Sequence, residues 1–266
     1  MILFGCVLAI LVGLTLALVG SGGTILTVPI LVYIMGADPV LATTYSLFAI
    51  GLTSCIGGFM GVLRKEVDLA KVWSFGLPSL VVVYITRSFI LPIVPDVITI
   101  AGYAIAQSEL LMMLFGLIML ASSASMIGNT RRTLQMPSRS HDFPVEIIVL
   151  QGALVGLVTG AVGAGGGFLI IPALINFYRM PMRRAVSTSL VIISINSFFG
   201  LMGDLEKIQT FDWLLLGGYT WGAVLGLAIG LYYANKIPGN RLKVGFGYLI
   251  MLIGLYVLIR EICKIW

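Results

Sequence analysis

Val19-Gly20-Ser21-Gly22-Gly23-Thr24-Ile25-Leu26-Thr27-Val28-Pro29 and Val162-Gly163-Ala164-Gly165-Gly166-Gly167-Phe168-Leu169-Ile170-Ile171-Pro172 are two glycine-rich breaks in otherwise apolar sequence. Glycine is a poor helix former, so each cluster is expected to unwind a helix. Unwound backbone at membrane depth carries polar groups that lipid cannot satisfy. It persists only where protein buries it or a cavity solvates it. Two such breaks at corresponding places in two halves of a chain point to a transporter's binding site.

The surroundings put these breaks in a membrane. Of 266 residues, 59% are hydrophobic and 10% charged, whereas a soluble domain is about a quarter charged. The apolar runs are continuous, as over 110–126 and 244–259. That favours spanning helices over barrel strands, which would alternate polar and apolar residues. The net charge of +5 comes from residues in the loops. They read as markers of cytoplasmic loops, not as a nucleic-acid surface. The single histidine, His141, lies in the polar loop 129–144, so no membrane-embedded His centre, metal or cofactor is expected. Cys6, Cys55 and Cys263 lie far apart without metal-ligand spacing. They read as small buried hydrophobes without a structural disulfide. The apolar start at Met1 lacks a basic n-region and reads as part of the mature fold.

Placing Pro29 on Pro172, an offset of 143 residues, aligns the two breaks without a gap. Over residues 19–57 that register matches 13 of 39 positions, including Gly20/Gly163, Gly22/Gly165, Gly23/Gly166, Ser46/Ser189, Ser54/Ser197 and Gly57/Gly200. Shared Gly, Pro and Ser are not explained by apolar composition, so the chain is an internal duplication. The first repeat is 1–128, a cytoplasmic connecting loop is 129–144, and the second repeat is 145–266. Helices are expected at about 40–62, 69–91, 109–128, 184–203, 212–234 and 242–262. The segment 92–108 reads as an extramembranous loop.

Loop charges set the topology. The central loop carries Arg131, Arg132 and Arg139, and the loop after the second break carries Arg179, Arg183 and Arg184. Both should face the cytoplasm, so the element 145–178 between them enters and returns without crossing. By the same logic 1–36 is a hairpin from the opposite face. The expected fold is all-α: two homologous halves in inverted topology, each a glycine-broken re-entrant hairpin plus three transmembrane helices.

A helix start after each break offers free N–H groups and the positive end of a helix dipole, which suits a small anion. The candidate substrate-binding residues are therefore Gly20, Ser21, Gly22, Gly23, Thr24, Gly163, Ala164, Gly165, Gly166 and Gly167. The next helix of each half begins with hydroxyls, adding Thr43, Thr44, Ser187 and Thr188. Asn196, about mid-helix, either lines a cavity or bonds another helix. Arg87 stands inside the apolar run 80–91. It either serves the substrate path or snorkels to the outer interface. Acidic residues lie at helix ends or in loops, so coupling through a buried carboxylate is not expected. Sodium or proton remains possible as a coupling ion. No P-loop is present, so the chain does not hydrolyse ATP.

The paired G-x-G-G-[TG]-x-L-x-x-P stretches at 20–29 and 163–172, with the segments 42–47 and 185–190, resemble the TauE/SafE sulfite-exporter family. This is also called the four-TMS uptake and export superfamily. The resemblance covers essentially the whole chain. It implies a multi-pass transporter, not an enzyme, in a prokaryotic inner (plasma) membrane, exporting a small anion such as sulfite, thiosulfate or an organosulfonate. The tips are not identical, because Ser21 and Thr24 stand where the second copy has Ala164 and Gly167. The reading is alternating access around a midplane site, in a monomer or homodimer. The rivals are a passive anion channel and a sulfur-transfer protein using Cys55.

Overall fold

The computed structural model describes residues 2–95, 97–100, 103–132, 145–178, 180–233 and 239–265. His141, Arg139, Arg179 and Lys236 lie outside them. α1 (Ile2–Val19) ends at Gly20. The chain resumes as a 3₁₀ stretch (Ser21–Leu26), one α turn, α2 (Thr27–Pro29), and a π turn (Ile30–Ile34). α3 (Pro39–Leu63) starts where Asp38 accepts from the N–H groups of Val40 (2.9 Å) and Leu41 (3.2 Å), with Pro39 at the first helical position. α4 (Leu69–Ile85), capped by Asp68, continues through a π turn (Thr86–Ile90) into α5 (Leu91–Ile93).

β1 (Val97–Ile100) and β2 (Tyr103–Ala106) pair antiparallel, with Val97 opposite Ala106. This hairpin lies within the segment 92–108, expected as an extramembranous loop; its β-branched residues suit a ladder. Helices α6 (Gln107–Arg132), α7 (Val145–Val162), α8 (Gly167–Tyr178), α9 (Met182–Met202), α10 (Trp213–Tyr233) and α11 (Gly239–Ile265) complete the chain, with a 3₁₀ turn over Leu205–Thr210.

Among the described residues, six segments are long and apolar enough to cross a membrane: Pro39–Leu63, Leu69–Ile93, Gln107–Gly128, Met182–Met202, Trp213–Tyr233 and Val244–Lys264. They match the expected helices in number and position. The apolar limbs Phe4–Val19, Gly23–Ile34 and Glu146–Val162 beside the breaks are shorter. Outward faces carry Phe59, Trp73, Trp213, Leu214, Trp221 and Tyr232, all exposed, as lipid-facing helices require. Cys55 and Cys263 are also exposed, which corrects the expectation that the cysteines are buried; all three thiols are free.

The helices pair across the two repeats. α3 and α9, which share a register, run antiparallel: Gly51 meets Ser197, Gly58 meets Val191 and Gly61 meets Ser187. α6 and α11 do the same, Gly116 meeting Leu258 and Gly254 meeting Met119. α1 lies along α10, and α7 along α4. Gly222, Gly226 and Gly230 press on α1 at Cys6, Ile10 and Leu14. Gly152, Gly156 and Gly160 press on α4 at Phe75, Ser79 and Val83. Four-residue spacing puts each set on one face, and small residues let the backbones touch.

A Cβ on Gly226 would overlap the Ile10 carbonyl oxygen, which is backbone and cannot step aside, whereas a Cβ on Gly217 meets nothing within 4 Å. Gly226→Leu is therefore expected to lose about 1–3 kcal/mol or more in thermal unfolding in detergent. Gly217→Leu should unfold as wild type does. Equal losses in the two would contradict the packing assigned to α1 and α10.

Candidate functional site

Each glycine break turns in the left-handed region. Gly20 has φ 79°, and Gly163, Gly165 and Gly166 have φ 70°, 67° and 64°. L side chains rarely adopt this backbone. Each turn faces the other repeat. A Cβ on Gly20 would strike Ile171 and Val186, at the start of α9; a Cβ on Gly163 would lie 2.5 Å from the Thr43 carbonyl oxygen, at the start of α3. Gly165 sits against Ile50 and Ile193, with Ser197 Oγ 3.5 Å from its Cβ position. The 3₁₀ stretch of the first break touches α8 of the second. The two breaks thus meet around the α3–α9 crossing. Gly23 and Gly166 pack back against the helices that precede them, at Val12–Leu16 and at Thr159. Ala164 and Thr24 are fully buried. The side-chain surroundings of Ser21 and Gly22 lie outside the described residues.

Arg87 does not snorkel. It is 1% exposed, in the π turn that follows α4. Its Nη1 donates to Asp204 Oδ2 at 2.5 Å and lies 3.5 Å from Thr44 Oγ1, while Thr44 donates to the same Asp204 oxygen at 2.8 Å. Asp204 is 3% exposed. Nε and Nη2 of Arg87 have no hydrogen-bond partner among the described residues. Nη2 lies 2.7 Å from the Cβ position of Gly163, so the free edge of the guanidinium faces the second glycine turn. Charges removed from water are tolerated when paired. Pairing explains why an arginine survives here.

This corrects the expectation about carboxylates. Asp204 follows α9 in a loop, as the sequence suggests, yet it is buried against a cation. Glu261, in α11, is also buried: it accepts from Tyr33 Oη at 2.8 Å and has Lys264 Nζ 3.6 Å away. The signal for Asp204 was available. A lone arginine inside an apolar run needs an anionic partner, and Asp204 is an acid next to an apolar helix end.

The hydroxyls divide. Thr43, beside the Gly163 turn, bonds back to Val40 O at 2.8 Å. Ser187 donates to Glu66 at 3.1 Å, and Glu66 pairs with Arg183 at 2.9 Å. Thr188 accepts from the Asp68 N–H at 3.1 Å. Asn196 is buried and donates to Ser79 Oγ at 2.7 Å, tying α9 to α4, and its Oδ1 has no partner among the described residues. Sequence reading left out Ser54 and Ser197 as site residues. They are identical across the register and fully buried, with no partner for either hydroxyl among the described residues.

A cavity of about 320 Å³ opens beside Arg64, Glu66 and Arg183 and runs inward past Gly57, Gly61, Ser187 and Leu190 to Val186. Val186 is the residue that touches Gly20. The cavity is within the size range of small-molecule sites. Cys55 does not line it and faces outward.

Six apolar spans among the described residues, two glycine turns packed around the α3–α9 crossing, and a cavity lined by Val186 beside Gly20 mark a multi-pass membrane protein of transporter type. The chain belongs to the sulfite exporter TauE/SafE family, which matches residues 5–257. It is similar to a probable membrane transporter protein of Xylella fastidiosa (strain Temecula1), with 27% identity over 260 residues, 94% of this chain and 92% of the relative. A probable membrane transporter protein of Methanocaldococcus jannaschii is 26% identical over 267 residues, 95% and 94% of the two chains. Another, from Bacillus subtilis, is 23% identical over 274 residues, 93% and 94% of the two chains. No solved structure matches the chain.

Proposed function

We propose that the protein exports a small anion, such as sulfite, thiosulfate or an organosulfonate, by alternating access around a midplane site in a prokaryotic inner membrane. The two repeats act in inverted topology, each with one re-entrant hairpin and three spans. The antiparallel packing of α3 on α9, which share a register, supports that topology. The observation that carries the reading is the meeting of the two glycine turns, each against the other repeat's hydroxyl-bearing helix start. Backbone N–H groups of Gly20–Thr24 and Gly163–Gly167 hold the anion, because helix starts stabilise negative charge. Thr43, Thr44, Ser187, Thr188, Asn196 and Arg87 complete or approach the shell. The face with Arg64 and Arg183 is cytoplasmic, by the positive-inside rule. The cavity there draws anions toward Gly20.

A carrier fits better than a channel, because the cavity beside Arg64 and Arg183 is lined as far as Val186, whereas Thr43, the residue equivalent to Val186 in the repeat register, is 3% exposed. A sulfur-transfer role for Cys55 is not supported, since that thiol points away from the cavity. The test is flux of labelled sulfite, thiosulfate, sulfoacetate and sulfate in proteoliposomes, with and without sodium or proton gradients. Saturable movement of at least one sulfur anion is the expected result. Transport of a different solute class with none of these moving would overturn the substrate reading.

A further inference from the structure

We propose that the buried Arg87–Asp204 pair latches a second cavity, on the face opposite the open one, and that Arg87 receives the anion when that cavity opens. The proposal deepens the transporter reading and rests on it for the identity of the anion.

The register of the repeat carries the argument. The open cavity is bordered by Gly61, Val186, Ser187 and Leu231, the last beside Gly230. An offset of 143 residues carries Gly61 to Asp204, Val186 to Thr43, Ser187 to Thr44 and Gly230 to Arg87. Where one face has two glycines and a cavity, the other has a buried ion pair. Thr43 and Val186 occupy equivalent positions, each against the other repeat's glycine turn. Val186 lines the cavity, whereas Thr43 is 3% exposed. Arg87 packs closely here: its Cβ lies 2.6 Å from the Cβ position of Gly203, and its Nη2 lies 2.7 Å from that of Gly163.

The pair also leaves chemistry unused. A guanidinium has five N–H donors in a planar fork that matches oxyanions. Asp204 takes Nη1, while Nε and Nη2 are buried without partners among the described residues, Nη2 lying beside the Gly163 turn. Asp204 is thus a resident anion on a fork that suits the substrate. When the face opens, water relieves the cost of separating the charges, and a sulfur oxyanion takes the fork between Arg87 and the Gly163 turn.

The test uses full-length protein with Cys6, Cys55 and Cys263 changed to Ser, carrying Thr43→Cys or Val186→Cys as reporter. A membrane-impermeant maleimide is applied from either face. With the pair intact, the Val186→Cys reporter should react fast from the basic face and the Thr43→Cys reporter slowly from the other. Adding Asp204→Asn should raise the Thr43→Cys rate by about tenfold or more and lower the Val186→Cys rate, a shift in population of that order. Arg87→Gln with Asp204→Asn removes both charges, leaves no buried ion unpaired and should shift the rates the same way. In that double variant the KM for the transported anion, measured from the opening face, should rise roughly tenfold with loss of the charge-assisted bonds.

Unchanged rates at both reporters, or a rise at both, would overturn the latch. An unchanged KM would overturn the role of Arg87 as receiver. Because labelling needs no substrate, a reciprocal shift without sulfur-anion flux would sink the substrate reading and leave the latch standing. Flux without the shift would do the reverse.

Discussion

Gly163→Ala is expected to lower anion flux in proteoliposomes at least roughly tenfold, the effect of more than about 1.4 kcal/mol at the site. Two costs combine at this position. Alanine at φ 70° sits in the left-handed region, which costs about 1–2 kcal/mol. Its methyl group would also stand 2.5 Å from the Thr43 carbonyl oxygen and 2.7 Å from Arg87 Nη2. It would therefore push the turn away from both groups that approach it. Gly36 separates the two costs. It has φ 76° but nothing within 4 Å of its Cβ position, so Gly36→Ala carries the backbone strain without the intrusion. Flux in Gly36→Ala should remain close to wild type. Equal loss in the two variants would show that strain alone matters and that close approach at Gly163 does not.

Asp204→Ala is expected to destabilise the protein by about 3–5 kcal/mol, because it strands the Arg87 guanidinium in a buried place without its partner. The expected readout is a large fall in unfolding temperature in detergent. The doubly apolar variant Arg87→Met with Asp204→Leu should recover most of that loss, since replacing both charges removes the desolvation cost along with the attraction. Asp204→Ala within about 1 kcal/mol of wild type would mean that Arg87 finds another anion or water, and that the pair is not what holds this face together.

Much of this was legible in the sequence. The 143-residue register predicted that α3 corresponds to α9, and the structure packs the two together; α6 and α11, the last helices of the two halves, also pack on each other. The glycine breaks were legible because Gly20 and Gly163 turn with a backbone that other residues resist. Six spans followed from apolar run length alone. What the sequence hid is pairing in space. Arg87 in an apolar run signals that an anion is needed, but which acid supplies it is set only by the fold, which brings in Asp204 from 117 positions further along the chain. The hydroxyls Thr43, Thr44, Ser187 and Thr188 look alike on a helix start. Yet Thr188 accepts the Asp68 N–H, Ser187 meets Glu66 and Thr44 bridges to Asp204. Side-chain type does not say which neighbour arrives. The glycine spacing of α10 and α7 was a signal left unread, and it marks where α1 and α4 lie.

The central claim is that two inverted repeats carry one anion by opening to one face at a time. Counterflow tests it most directly. Proteoliposomes are loaded with unlabelled sulfite or thiosulfate, and uptake of the labelled anion is followed against empty vesicles. The account predicts that internal anion accelerates labelled uptake, that the rate saturates, and that Gly163→Ala abolishes the acceleration. Labelled uptake that rises linearly with concentration, unaffected by internal anion, would contradict it.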